Sequence, residues 1–294
     1  MRKSFNKLHP VTDLIFISST VVFCLLCYNP VFVFTGFICA FIFNVYIKGL
    51  FVPIKTVLYM FPVLIFTSLL NGVYATYGEK VLLSVFSREI KAEPVLYGAV
   101  LGMTVITVVM WFSAMSEILG EEKQLYLFSR HFPTMGLTVM MALRFLSVYR
   151  ERLKETVSVQ NLLYGEENGR LTAKIRRVFE SLTVIFTQSV ENAIETSDSM
   201  RSRGYGEGER TFYHRFRFTV KDTVFCAVTV AADAFIAFSL ITGEVYADYS
   251  PVFTTNRLSI TAVVSYALYA LVGLLPIIFD IEEGIRWKLS ELKN

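Results

Sequence analysis

The sequence predicts an all-α, polytopic membrane protein with about six hydrophobic spans and a cytoplasmic domain of long amphipathic helices. Three observations point there. The 294 residues are 54% hydrophobic and only 18% charged, with a mean hydropathy of +0.51, whereas an ordinary soluble domain carries about 25% charged residues. The deficit is local, confined to windows of 17 or more residues almost free of charge. Between those windows, residues 118–218 are polar and charged yet keep a helical period. The length would also hold one or two soluble domains, but near-continuous apolar runs favour spans. A net charge of +3, scattered along the chain, gives no reason to expect nucleic acid.

A span needs roughly 20 apolar residues to cross about 30 Å of hydrocarbon. Residues 12–28 and 31–47 are each a little short and are separated by Asn29-Pro30. Two spans are favoured over one broken element, because a continuous helix would bury Asn29 and its proline at mid-membrane. Residues 51–70 form the third span, running from Lys48-Gly49 to Asn71-Gly72. The fourth, 95–116, opens after Pro94, which suits an early helical position.

Residues 219–241 and 258–280 complete the set. Lys221 and Asp222 stand at the mouth of the fifth span, where a lysine can snorkel. Asp233 lies deeper, and an ionisable residue in a span tends to face a protein interior or an aqueous cavity. An intramembrane polar contact is favoured for Asp233 over a transport or proton-relay role, since no basic partner is evident nearby.

Cys24, Cys27, Cys39 and Cys226 all lie in apolar runs. Cys24-Leu-Leu-Cys27 has metal or redox spacing, but no further Cys or His stands near enough in sequence to complete a site. Small hydrophobic filling is the favoured reading. Arg2, Lys3 and Lys7 precede the first run, yet no small-x-small site closes it, so no cleavable signal peptide is expected.

Basic residues orient the chain. Arg2, Lys3 and Lys7 precede the first span, Arg286, Lys288 and Lys293 follow the last, and 118–218 carries fifteen Arg and Lys. An even number of spans puts these three regions on one side, and the positive-inside rule makes it cytoplasmic. The expected organisation is therefore an N-terminal membrane region, 1–117, a cytoplasmic section, 118–218, and a C-terminal membrane region, 219–294. Both termini are expected in the cytoplasm. The loop 71–94 would be external; its Lys80, Arg88 and Lys91 nearly balance Glu79, Glu89 and Glu93.

Within the cytoplasmic section, 134–160 reads as a long helix after Pro133. Leu137, Met140/Met141, Phe145, Val148/Tyr149 and Leu153 recur at three- or four-residue spacing, with Arg144, Arg150, Arg152 and Lys154 between them. The polar loop Gly165–Gly169 breaks it. A second helix, about 171–203, has an apolar face at Ile175, Val178/Phe179, Leu182, Ile185/Phe186 and Val190. Ser189, Ala193 and Ser197 follow at strict four-residue spacing. Small residues on one face let another backbone approach closely, so the two long helices are expected to cross there. The alternative is that these are plain exposed small residues.

The end of this second helix is the sharpest local signal. Arg201 and Arg203 precede Gly204, followed by Tyr205, Gly206, Glu207 and Gly208. Gly204 can take the left-handed position that closes a helix, and arginines in a last turn meet its negative end. Capping accounts for one arginine and one glycine, not for an arginine-rich tip bracketed by glycines. Such a tip suits an acidic groove on a partner, because the guanidinium fork pairs with carboxylates bidentately.

At Ser202-Arg203-Gly204-Tyr205-Gly206 the chain closely resembles the transmembrane T component of energy-coupling factor (ECF) transporters, the family that includes the Q subunit of the cobalt transporters. Its hallmark is an Ala-Arg-Gly-like tripeptide ending a coupling helix. Here Ser199-Met200-Arg201-Ser202-Arg203-Gly204 matches with Ser in place of Ala, and Leu143-Arg144-Phe145-Leu146 is similar to an upstream family segment. The other coupling tip would fall at Gln160-Asn161-Leu162-Leu163-Tyr164-Gly165, where Tyr164 replaces the arginine and Gly165 is kept. A tyrosine cannot form the bidentate pair, which puts the family's two-arginine attachment in question at that tip.

The resemblance implies a scaffold and coupling subunit of an ABC-type importer of a vitamin or metal ion. Arg201, Ser202, Arg203 and Gly204, with Tyr164 and Gly165, would engage two cytoplasmic ATP-binding-cassette (ABC) ATPase subunits. A separate small membrane subunit would capture the substrate. The unequal tips favour two different ATPase partners over identical ones. No catalytic residue, cofactor or metal site is expected in this chain: Gly204–Gly208 lacks the Lys-Ser/Thr of a phosphate loop, and His9, His131 and His214 form no zinc pattern. The alternatives are a stand-alone secondary carrier, which would favour internal repeats and broken spans, and behind it an intramembrane enzyme.

Overall fold

Polar caps followed by proline set where the first membrane helices begin. The computed structural model describes residues 8–75, 78, 81–85, 88–164, 171–208, 216, 218–245, 247–249, 254–255 and 259–291. Helix α1 (Pro10–Leu26) starts on His9, whose Nδ1 accepts the Val11 amide at 3.2 Å. Helix α2 (Pro30–Lys48) starts on Asn29, whose Oδ1 accepts the Val31 amide at 3.0 Å. A proline fits the first helical position because its missing amide proton would have no partner there. Asn29-Pro30 therefore closes one helix and opens the next, and 12–47 is two helices.

Helix α3 (Phe51–Tyr74) follows, then a short antiparallel hairpin of β1 (Val81–Val85) and β2 (Arg88–Lys91), and helix α4 (Ala92–Ile118). Next come α5 (Glu121–His131), α6 (Pro133–Tyr164) and α7 (Leu171–Ser202). The chain ends with α8 (Val220–Ile241), a second small pair of β3 (Ala247–Asp248) and β4 (Thr254–Thr255), and α9 (Ile260–Glu291). The hairpin within 71–94 and the break that makes α5 a separate helix were not expected from the sequence.

Among the described residues five helices, α2, α3, α4, α8 and the Ile260–Glu282 part of α9, are long and apolar enough to cross a membrane. Helix α1 is apolar but has 17 residues, the lower limit for crossing. The expected six spans are thus five full-length helices and one short one. The chain is a multi-pass, predominantly α-helical membrane protein.

The fold divides into two compact units, one formed by Met1–Gln124 with Phe216–Asn294, the other by Leu125–Arg215. In the first, aromatic rings fill the space between helices. Phe16 stands edge-on to Phe43, Trp111 and Phe225, with centroids 5.6–6.0 Å apart, so one ring touches α2, α4 and α8. Phe32 stacks on Tyr269 at 4.1 Å, and the Tyr269 hydroxyl donates to the Thr20 carbonyl at 2.9 Å. Such edge and offset contacts contribute about 0.5–1.5 kcal/mol beyond area burial. Asn44 adds a polar tie, its Nδ2 donating to the Ala40 and Met110 carbonyls at 2.9 Å each.

One end of this unit gathers the start of α1, the end of α2 and the end of α4, where Lys48 Nζ donates to Ser113 Oγ at 3.0 Å. Tyrosines mark the other end. Tyr249 donates to the Tyr28 carbonyl at 2.6 Å and lies against Tyr97, centroids 5.0 Å apart. Amphipathic rings of this kind suit a membrane–water boundary. Burial, and behind it the Tyr97 phenol, push the Tyr249 hydroxyl up to about 12, so it remains a donor at neutral pH.

In the second unit α6 and α7 pack on each other. On α7 the covered positions are Ser181 and Ile185, then the half-buried Ser189, Asn192, Thr196 and Met200. That three-and-four spacing is a narrow seam of mostly small and polar residues. Of the apolar face expected on this helix, only Ile185 lies in the seam; Ile175, Val178, Phe179, Leu182, Phe186 and Val190 are exposed. At 3.6 residues per turn the apolar stripe is rotated by roughly 80° from the seam. Hydrophobic periodicity identified the helix but not the face that packs on α6.

Candidate functional site

Helix α7 ends in a geometry that presents its last turn to solvent. Gly204 has φ +77°, a left-handed conformation that a side chain disfavours. The Tyr205 amide donates to the Met200 carbonyl and the Gly204 amide to the Arg201 carbonyl, both at 3.0 Å. This pair of bonds is a Schellman closure, which satisfies carbonyls otherwise left open at a helix end. Gly206, at φ +101°, turns the chain again. Arg201, Ser202 and Arg203 are all exposed, and among the described residues neither arginine forms an ion pair. Ser202 is held by its own helix, Oγ donating to the Asp198 carbonyl at 2.8 Å. The result is a 32-residue helix ending in two solvated guanidinium groups beside its negative pole.

The other expected tip is less fully defined. Tyr164 is the last residue of α6; its side chain, and Gly165, lie outside the described residues. Ser189 is half-buried, while Ala193 and Ser197 are exposed. Among the described residues of this unit no backbone covers those two positions. Asp233 is half-buried in α8 and turned toward the Ser19 hydroxyl of α1, although no hydrogen bond of ordinary geometry reaches that hydroxyl.

A polar cluster of residues distant in sequence lies at the start of α1. Asp13, fully buried, holds Lys123 at 2.6 Å, and Lys123 is itself buried. Asp222 accepts four hydrogen bonds: from the Thr219 amide and hydroxyl at 2.8 and 2.5 Å, from the His9 amide at 2.9 Å and from the Thr12 hydroxyl at 3.4 Å. Asp222 stands in the first turn of α8, at the mouth of the fifth span as expected, and these contacts give it a further part. It caps α8 and reaches across to α1. Asp13 was readable as an acid near the head of an apolar run, but no spacing rule relates it to a lysine 110 positions away.

A groove of about 470 Å³ between α2, α3 and α4 is lined by apolar side chains such as Val31, Phe34, Leu64 and Met103, with Thr35. Among the described residues no three His, Cys, Asp or Glu come together as metal ligands.

These features define a multi-pass α-helical membrane protein carrying a paired-helix unit with an arginine-tipped end. Compared with known proteins, the chain is similar to the energy-coupling factor transporter transmembrane protein EcfT of Bacillus selenitireducens, 36% identical over 115 residues. The match covers 37% of this chain, and the chain spans 42% of that relative's length. No protein-family model matches the sequence.

Proposed function

We propose that the chain is the transmembrane T component of an ECF-type ABC importer, a scaffold that passes motion from ATPase subunits to a separate substrate-capture subunit. The observation that carries this reading is the α7 tip, where a Schellman closure leaves Arg201 and Arg203 exposed, with no ion pair among the described residues. Two guanidinium groups at a helix end need no ligand to be stable in water, but they fit a carboxylate-lined groove. The partial similarity to EcfT supports the same assignment.

In this reading 118–218 is the cytoplasmic coupling section between membrane regions 1–117 and 219–294, and both termini are cytoplasmic. Arg201, Ser202, Arg203 and Gly204 attach one ABC ATPase; Tyr164 and Gly165 attach the other, by aromatic packing in place of an arginine pair. Asp233 is a polar contact within the spans. The small membrane subunit that captures a vitamin or metal ion is a third partner, and lipid surrounds the spans. ATP hydrolysis belongs to the partners.

Packing supports a scaffold over a carrier. Phe16, Phe43, Trp111 and Phe225 fill the space between α1, α2, α4 and α8 with aromatic rings, whereas a carrier favours polar groups and broken helices between its repeats.

The test is to co-express the tagged chain with its host's ABC ATPase subunits, purify the complex and reconstitute it in vesicles. Co-purification with ATP-dependent uptake is the expected result. A purified chain that hydrolyses ATP or carries solute alone would sink the proposal.

A further inference from the structure

We propose that the first turn of α1 is the anchor holding both junctions of the 125–215 unit to the membrane helices, so that displacement of that unit reaches the spans instead of being lost at its junctions. The direction of that motion rests on the coupling role proposed above; the anchor itself rests on geometry within the membrane unit.

The chain leaves the membrane unit after Gln124 and returns at Phe216. Lys123 stands just before the departure, and Phe218 and Asp222 just after the return. All three are gathered by five residues, His9–Asp13. On the outgoing side Asp13 Oδ2 holds Lys123 Nζ at 2.6 Å. On the returning side the His9 amide and Thr12 hydroxyl donate to Asp222 Oδ1 at 2.9 and 3.4 Å. The His9 ring meets Phe218 edge-on at 5.4 Å, and the Thr12 hydroxyl also lies 3.7 Å from Cys226 Sγ.

Helix capping explains only part of this. A capping carboxylate on α8 needs Thr219 alone, which Oδ2 already serves; Oδ1 is spent on α1. The Asp13–Lys123 pair caps nothing. Both groups are buried, and separating such a pair strands a charge in a low-dielectric setting, so the contact resists opening. Asp13 Oδ1 has no hydrogen-bond partner among the described residues, so the lysine is the contact that binds this carboxylate. One turn of helix thus grips both ends of a long insertion by ionic and charge-assisted bonds.

The test uses the full chain carrying Asp13→Asn with Lys123→Met, which removes both charges together and leaves neither stranded. A second variant, Thr12→Val, deletes one bond to Asp222 at nearly constant volume and keeps the test open should the double variant not fold. In the detergent-solubilised chain, amides of 121–124 and 219–223 should exchange about ten-fold faster with loss of these charged hydrogen bonds, while those of α2 and α4 stay unchanged. In the assembled importer, uptake per ATP hydrolysed should fall about ten-fold at unchanged complex yield. Unchanged exchange at both junctions overturns the anchor. Faster exchange with unchanged uptake per ATP overturns its part in transmission. If the wild-type chain binds no ABC ATPase, the proposed function fails, and the exchange measurement still decides the anchor.

Discussion

Gly98 packs so closely on α3 that a Cβ there would stand 2.6 Å from the Thr67 carbonyl oxygen and 2.7 Å from the Ser68 Cα. One turn on, a Cβ at Gly102 would stand 2.7 Å from the Leu64 Cα. The absent side chains let the two backbones approach until side-chain hydroxyls bridge them. Thr67 Oγ1 donates to the Gly98 carbonyl at 3.1 Å and Ser68 Oγ to that of Val95 at 2.9 Å. Close approach of this kind replaces the hydrophobic driving force that lipid cannot supply between helices.

Gly98→Ala should therefore destabilise the protein by about 1–3 kcal/mol, the usual range for overpacking against neighbours that cannot retreat. Gly284, in α9, is the control, because nothing lies within 4 Å of its added Cβ. There Ala should gain roughly 0.5–1 kcal/mol from its better helix propensity. Thermal unfolding in detergent reads both. Shifts of the same sign would show that the α3–α4 approach is looser than described.

The same four-residue spacing shows what was legible in the sequence and what was not. Ser189, Ala193 and Ser197 carry it in the exposed part of α7, and two of the three are uncovered; Gly98 and Gly102 carry it inside a span and make the close crossing. Spacing alone cannot separate the two, because it records which residues share a face and not which face meets another helix. Helix identities were readable from apolar runs and from Asn29-Pro30, as was the glycine closure at Gly204. The node at Asp13, Lys123 and Asp222 was not, since its members come from three distant stretches joined only by folding.

Asn44→Leu should cost less than Trp111→Ala. Asn44 contributes one interhelical bond, to the Met110 carbonyl, and such bonds in membranes average about 0.6 kcal/mol with a maximum near 1.7. Trp111 is fully buried and touches Phe16 and Phe43; truncating a buried aromatic costs about 3–5 kcal/mol. Denaturant titration of the two variants should preserve that order. The reverse order would make the polar tie, rather than ring packing, the main cement of this unit.

Arg203→Ala should weaken attachment of an ABC ATPase by about 2–5 kcal/mol, because it strands a desolvated carboxylate on the partner. Arg201→Ala should cost less, as a residue in the final turn engaged chiefly with the helix pole and with water. Both are exposed in the chain alone, so neither change should alter its own unfolding temperature. Affinity measured with solubilised subunits checks this; equal and negligible losses would reduce the tip to a helix end.

Gly204 separates the shape of the tip from its charge. Its φ of +77° makes Ala costly by about 1–2 kcal/mol, whereas Asn tolerates the left-handed region. The bonds at risk are those from the Gly204 and Tyr205 amides, which close α7. Gly204→Ala should thus fray the last turn and weaken ATPase attachment by displacing Arg203, while Gly204→Asn should nearly preserve it. Gly208→Ala is the silent control, with open space around its added Cβ. Binding by the three variants, read beside hydrogen exchange at 199–205, decides the matter. If Gly204→Ala frays the turn and binding is unchanged, the partner does not depend on the geometry of this tip.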